Sequence, residues 1–182
     1  MKIGIVVGSI REGRLGRSVG EWVLQQATQR DDAAYELVDL KDFDVPLLRA
    51  RTLPGMADKQ YDSPQVTRWS QAIDACDGFV FVTAEYNHGV PGAFKNAFDV
   101  LGNEWAGKPV GFVSYGAENG VRAVEHWRQI VVNFHMVGVR AQVSMSLFTE
   151  VADGRIAPSA LRGPALATLL DQLVAATART AT

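Results

Sequence analysis

Short apolar runs rich in β-branched residues alternate along this chain with stretches of helical spacing. Residues 2–8 form the first run, carried by Ile3, Ile5, Val6 and Val7. Helical spacing follows over 18–30, where Val19, Trp22, Val23, Gln26 and Ala27 fall on one face. Residues 35–40 predict a second strand. Residues 41–64 hold Pro46, Pro54 and Pro64 and no clear period, which predicts the longest irregular connection, laid over the surface. Val66, Trp69, Ala72 and Ile73 give 65–75 an apolar helical side. GFVFVT at 78–83 is almost wholly apolar, as a central strand covered on both faces must be. A helix over 91–101 has Pro91 in its first turn. A strand over 110–115, a helix over 121–134 and a strand over 140–147, reaching back toward Val137, follow. After an exposed turn at Asp153 and Gly154, residues 159–178 predict a closing helix.

Strands that alternate with helices imply a parallel sheet with right-handed crossovers. Five of each predict an α/β fold with helices on both faces: a doubly wound, five-stranded parallel sheet in the flavodoxin-like order 2-1-3-4-5. No internal repeat, low-complexity tract or linker divides the chain, so residues 1–182 are expected to form one domain.

Composition narrows the function. The 182 residues carry a formal net charge of -2, which leaves no electrostatic footprint for nucleic acid or an anionic membrane. Cys76 is the only cysteine, so an intrachain disulfide and a cysteine-based metal site are excluded. The opening MKIGIVVG is too short to span a bilayer and runs into a glycine turn without a small-residue cleavage site. It reads as a buried strand, and the protein as cytoplasmic.

In an open parallel sheet, ligands bind beyond the carboxyl ends of the strands where strand order reverses. Here the loops after strands one, three and four read GSIREGRLGRS, TAEYNHGVPG and SYGAENG. In the first, Gly8 permits a tight turn, Ser9 offers a hydroxyl, and Arg11, Arg14 and Arg17 supply cations suited to phosphate. Gly13 and Gly16 allow close backbone approach, and Ser18 lies near the start of a helix whose free N–H groups attract an anion. Neither GxxxxGK[ST] nor GxGxxG is present, so the loop points to one terminal phosphate rather than a bridging pyrophosphate. The second loop brings Glu85, Tyr86, Asn87 and His88 against a glycine–proline turn, suited to the edge and face of a flat heterocycle. The third has Ser114, Tyr115 and Gly116 and small residues that let backbone run beneath a planar ligand. Each residue also has a structural reading. Tyr86 can fill a groove, Asn87 can stabilise its own turn, and Glu85 can pair with a neighbouring arginine or a partner subunit.

The segments GSIREGR, TAEYNHGVPGAFKNAFDVL and GKPVGFVSYG resemble, in sequence and in spacing, the NADPH-dependent FMN reductase family. The likeness spans roughly the first two-thirds of the chain. It implies bound FMN, NADPH or NADH as electron donor, and a small-molecule electron acceptor such as a quinone, an azo compound, chromate or free flavin. Carried over by position, Ser9, Arg11 and Ser18 hold the phosphate, with Arg17 in a lesser role. Glu85, Tyr86 and Asn87 line the flavin ring from the third-strand loop, and Ser114, Tyr115 and Gly116 approach it from the fourth-strand loop. Two positions depart from the family pattern. Ala84 replaces a proline, and Arg14 and Gly16 stand where many members have serine and asparagine, which passes phosphate anchoring to arginine or to Ser18.

The resemblance implies ping-pong turnover at one open flavin face, and no side chain is assigned as a catalytic acid or base. His88 is either a proton donor or an exposed loop residue. His126 and His135 lack metal-ligand company, Cys76 reads as core, and Asp74 with Asp77 as a solvated helix end. A homodimer is expected, with a tetramer left open. The helix after Pro91 is expected at the interface, where Phe94, Phe98 and Trp105 either make contacts or fill the monomer core. Trp127 either covers its own helix or joins a second interface. Two other functional readings are a flavodoxin-type electron carrier and a flavin reductase that releases reduced FMN to a monooxygenase.

Overall fold

Three strands run through the middle of the molecule with almost no exposed surface: β1 (Lys2–Val7), β3 (Gly78–Ala84) and β4 (Pro109–Gly116). Two others, β2 (Ala34–Asp39) and β5 (Val137–Ser146), form the edges and are partly exposed. The computed structural model describes residues 1–180, and its sheet has the order β2-β1-β3-β4-β5 with every neighbouring pair parallel. Strand order and direction are those expected from the alternation of apolar runs and helices. The order reverses between β1 and β3, which opens a crevice at their carboxyl ends.

Side-chain alternation sends the two faces to different cores. Val6, Phe79, Phe81, Val110 and Phe112 face α2 (Pro64–Asp74), α3 (Gly92–Asp99) and α4 (Val121–Val131). That side is aromatic: the Phe81 ring lies 4.9 Å from Phe94 and 5.3 Å from Trp127. Ile3, Ile5, Val7, Val80, Val82 and Val113 face α1 (Gly16–Ala27) and α5 (Arg162–Thr180), where packing is mostly aliphatic. Phe94, Phe98, Trp105 and Trp127 are fully buried in the aromatic core. They therefore fill the monomer, as one of the two readings open to each had it, and are unavailable as surface contacts. Gln26 is exposed, which narrows the apolar face of α1 to Val19, Val23 and Ala27, with Trp22 at its margin.

Element boundaries differ from expectation by a few residues where capping decides them. Ser63 accepts a hydrogen bond from the Val66 amide at 3.3 Å, so α2 begins at Pro64. Pro91 has extended backbone and stands just outside α3 rather than in its first turn. The final turn of the helix expected over 121–134 tightens into a 3-10 turn at Val132–Phe134. Residues 41–64 are irregular apart from the 3-10 turns Leu40–Phe43 and Pro54–Met56. The segment is pinned by Asn96, which accepts from the Leu48 amide and donates to the Pro46 carbonyl, each at 2.9 Å. Its far end is tied by Tyr61, whose hydroxyl donates to buried Glu104 at 2.7 Å.

Between β5 and α5 the chain forms a small hairpin, β6 (Val151–Ala152) and β7 (Arg155–Ile156), which period alone did not reveal. Asp153 and Gly154 make its turn in left-handed conformation. Glu150 anchors the connection by accepting from the amides of Ser146 and Ser159 and from the Arg162 guanidinium, at 2.8–3.0 Å. Among the described residues no helix is long and apolar enough to cross a membrane.

Candidate functional site

The crevice is built by the loops that leave β1, β3 and β4. Gly8 ends β1 against α3, where a Cβ would fall 1.8 Å from the Phe94 ring, so only glycine lets the first loop start this close to the third. Ser9 follows and is buried, and its Oγ accepts from the Tyr115 hydroxyl of β4 at 3.1 Å. This bond joins the first and fourth loops across the crevice. Burial pushes the Tyr115 phenol up to about 12, so it serves as a neutral donor. Gly16 lies directly behind the pair: a Cβ there would sit 2.3 Å from Ser9 Oγ and 2.7 Å from the Tyr115 hydroxyl.

The arginines of the first loop have separate tasks. Arg14 donates from Nη1 and Nη2 to Asp39 at 2.6 and 2.7 Å and from Nη1 to the Ser9 carbonyl. Arg17 reaches Glu21 and Asp39, each at 3.0 Å. Burial of Asp39 disfavours its charge, yet hydrogen bonds from Arg14 and Arg17 outweigh that penalty and hold the carboxyl below its ordinary range. Asp39, the last residue of β2, is thus the counter-ion that shapes the phosphate-type loop. Sequence reasoning missed it; an acidic residue closing a strand beside the crevice was the available signal. Arg11 is exposed and makes no hydrogen bond or ion pair among the described residues, which leaves its guanidinium free for a ligand.

The Ser18 hydroxyl is occupied within the fold. It donates to the Leu15 carbonyl at 2.8 Å and accepts from the Ile156 amide at 3.0 Å, holding the β6–β7 hairpin on α1. No side chain caps α1, so the N–H groups of its first turn point outward with the positive end of the helix.

The third-strand loop is a two-residue turn. Tyr86 and Gly89 exchange backbone hydrogen bonds at 3.0 and 3.1 Å, with Asn87 and His88 both at positive φ, the backbone a type I′ turn requires. Tyr86 is partly exposed, and Asn87 and His88 stand at the tip. Glu85 does not end in the crevice. Its Oε1 accepts from Arg122 Nη1 at 2.8 Å and its Oε2 from the Arg122 amide at 3.1 Å, the pairing with a neighbouring arginine that its residue type had left open. In the fourth-strand loop the Ser114 hydroxyl is buried and donates to the Asn119 carbonyl at 2.8 Å. Gly116 lies beneath Glu85, since a Cβ there would meet the Glu85 Cβ at 3.2 Å and the Gly120 amide at 3.0 Å.

Thus the fold bonds Ser9 to Tyr115 and sets Arg11, Tyr86, Asn87 and Gly116 on loops that leave the same end of the sheet, while the side chains of Arg17, Ser18, Glu85 and Ser114 are engaged within the fold. The walls offer backbone donors, one free guanidinium and a helix N-terminus. Among the described residues no group of three or more His, Cys, Asp or Glu is placed to hold a metal ion. Cys76 is buried in the core, as its position predicted, and burial pushes its thiol up to about 11.

Comparison with known proteins converges on one family. The sequence model described as NADPH-dependent FMN reductase matches residues 1–150. An NAD(P)H-dependent FMN reductase of a Nectria species is 42% identical over 126 residues, covering 67% of this chain and 63% of that protein. The chain therefore spans less than two thirds of that relative's length. A quinone reductase of Pseudomonas putida is 33% identical over 143 residues, covering 74% of this chain and 71% of its own. Among solved structures, the flavoenzyme NAD(P)H:(acceptor) oxidoreductase FerB of Paracoccus denitrificans superposes with a TM-score of 0.74 over 98% of both chains, at 21% identity. That likeness establishes the fold.

Proposed function

This chain belongs to the NADPH-dependent FMN reductase family, and from that membership we propose that it binds FMN in the three-loop crevice and uses NADPH or NADH to reduce a small-molecule acceptor. The observation that carries the reading is the hydrogen bond from Tyr115 to Ser9, which closes the floor of the crevice between the loop suited to a phosphate and the loops suited to a flat ring. The residues fit the group. Arg11 and the uncapped first turn of α1 provide cationic and N–H donors for a terminal phosphate. Tyr86, Asn87 and the backbone of 115–116 provide an aromatic edge and amides for the ring.

Held by Arg11, the first turn of α1 and the loops after β3 and β4, FMN would supply two-electron hydride chemistry between a nicotinamide and the acceptor. The chain's own part is to hold and orient. Arg11 and α1 would anchor the tail and the type I′ turn would present donors to the ring edge, so that a face left uncovered by protein would serve donor and acceptor in turn. Ping-pong kinetics follow from that sharing. Similarity to a quinone reductase supports quinones as the acceptor class. The open hollow of about 630 Å³ beside α3 and α4, where Leu53, Met56, Ile130 and Phe134 are flanked by Lys95, Asp99, Gln129 and Asn133, offers a mixed apolar and polar face on which a homodimer would form. The single buried thiol is compatible with a cytoplasmic setting.

The test is the visible spectrum of the purified protein, followed by anaerobic addition of NADPH. A bound-flavin spectrum that bleaches on addition and returns with benzoquinone supports the reading. A protein that stays colourless after incubation with FMN and gel filtration overturns it. Bleaching that requires a separate reductase marks an electron carrier instead.

A further inference from the structure

Helix α4 grips the third-strand loop at both ends. At the root, the Arg122 amide and guanidinium both donate to Glu85, whose side chain is only 7% exposed. One turn along the same face stands His126, with Nδ1 3.4 Å from the place a Gly89 Cβ would occupy and its ring 6.3 Å from that of His88. A Cβ at residue 89 would therefore reach His126 in ordinary van der Waals contact, which places α4 directly against the turn. The helix has no cap of its own: Gly120 precedes it in left-handed conformation and no side chain bonds its first amides from within. Glu85 supplies that cap from another loop, so its carboxylate meets a guanidinium and a helix N-terminus together.

We infer that Arg122 is a positioning residue for the flavin site. It holds Glu85 on α4, fixes the backbone of Tyr86 and Asn87 that follows, and supplies the cation that neutralises a buried carboxylate at the root of that loop. The inference rests on the FMN reading for its second consequence but not for its first. Freed from Arg122, the loop root loses a charge-assisted hydrogen bond whether or not FMN is present. With FMN present, the charge of Glu85, left with the Arg122 amide but no cation, would oppose added negative charge on the ring and drive its potential in the negative direction.

The experiment compares the parent with Arg122→Met, Arg122→Lys and the double variant Arg122→Met/Glu85→Gln. Amide hydrogen exchange on the FMN-free proteins reads the first consequence. The amides of Tyr86 and Gly89, both bonded across the turn, are expected to exchange about tenfold faster in Arg122→Met, from loss of a charged hydrogen bond. Redox titration of the FMN-loaded proteins reads the second. The midpoint potential falls in Arg122→Met and returns toward the parent in Arg122→Lys, which restores the cation, and in the double variant, which removes the carboxylate. Parent-like exchange in Arg122→Met overturns the positioning role. Faster exchange with a parent-like potential, or a double variant as negative in potential as the single, overturns the electrostatic role. If the parent bound no FMN, the proposed function would fall while the exchange measurement still decided the clamp.

Discussion

Replacing Gly16 with alanine tests how closely the first and fourth loops are built against each other. Gly16 opens α1, where alanine is the better helix former by at most the interior value of about 1 kcal/mol. Helix propensity alone therefore expects a more stable protein. Packing expects the reverse. The new Cβ would lie 2.3 Å from Ser9 Oγ, 2.7 Å from the Tyr115 hydroxyl and 3.2 Å from Val7 Cγ1. A real contact needs about an ångström more than the first of these, and Ser9 is hemmed in by β1 and the Arg14 guanidinium. Relief requires Ser9 Oγ to rotate off Tyr115. That forfeits a buried hydrogen bond and leaves polar groups short of a partner, at a cost of roughly 1–3 kcal/mol. The clash outweighs the propensity gain, so Gly16→Ala should be destabilised by about 1 kcal/mol in urea unfolding. Because the same shift displaces the loop proposed to hold the phosphate, FMN affinity in a fluorescence-quenching titration should fall roughly tenfold. A variant at least as stable as the parent, with unchanged FMN affinity, refutes the reasoning.

Arg11→Ala should weaken FMN binding about tenfold but leave riboflavin binding unchanged, because the free guanidinium serves only the phosphate; equal losses for the two ligands would remove it from that role. Burial disfavours a charged Glu150, yet Arg162 and the amides of Ser159 and Ser146 outweigh it and hold the carboxyl at about 2. A folded-state value below the unfolded one gives stability that is complete above the ordinary carboxylate range and lost as pH falls toward 2. Glu150→Gln should therefore cost about 3 kcal/mol at pH 7 in urea unfolding and converge on the parent in acid, and a pH-independent difference would contradict this. Buried Cys76, its thiol raised to about 11, should resist maleimide at pH 8 until the protein unfolds; fast labelling of the folded chain would show the helix end opening locally.

Sheet order was legible because it depends on period and on the hand of crossovers, both written over many residues. GFVFVT, almost wholly apolar, reads as a strand covered on both faces, and it is the buried β3. The crevice was legible for the same reason, since β1, β3 and β4 had to end on one side of the sheet. Side-chain direction was harder to read. Glu85 follows β3 directly, but whether its carboxylate enters the crevice depends on Arg122, which only folding brings near. Ser18 is expected at the phosphate from its place near a helix start and from the family resemblance, but that its hydroxyl also holds the amide of Ile156, 138 residues later, could not be read from its surroundings. Asp39 carries a local mark, an acidic residue closing a strand beside the crevice, but its role comes from Arg14 and Arg17, and that of Glu150 from Arg162 and two amides that folding brings to it. The aromatic residues around α3 were ambiguous in sequence because core and interface select the same residue types.

The most direct test of the three-loop site is a crystal structure of the protein grown with FMN. The phosphate is expected at Arg11 and the first turn of α1, with the ring between residues 85–88 and 115–120. A ring seated elsewhere on the protein, or a crevice filled by its own side chains with FMN in excess, would contradict the account.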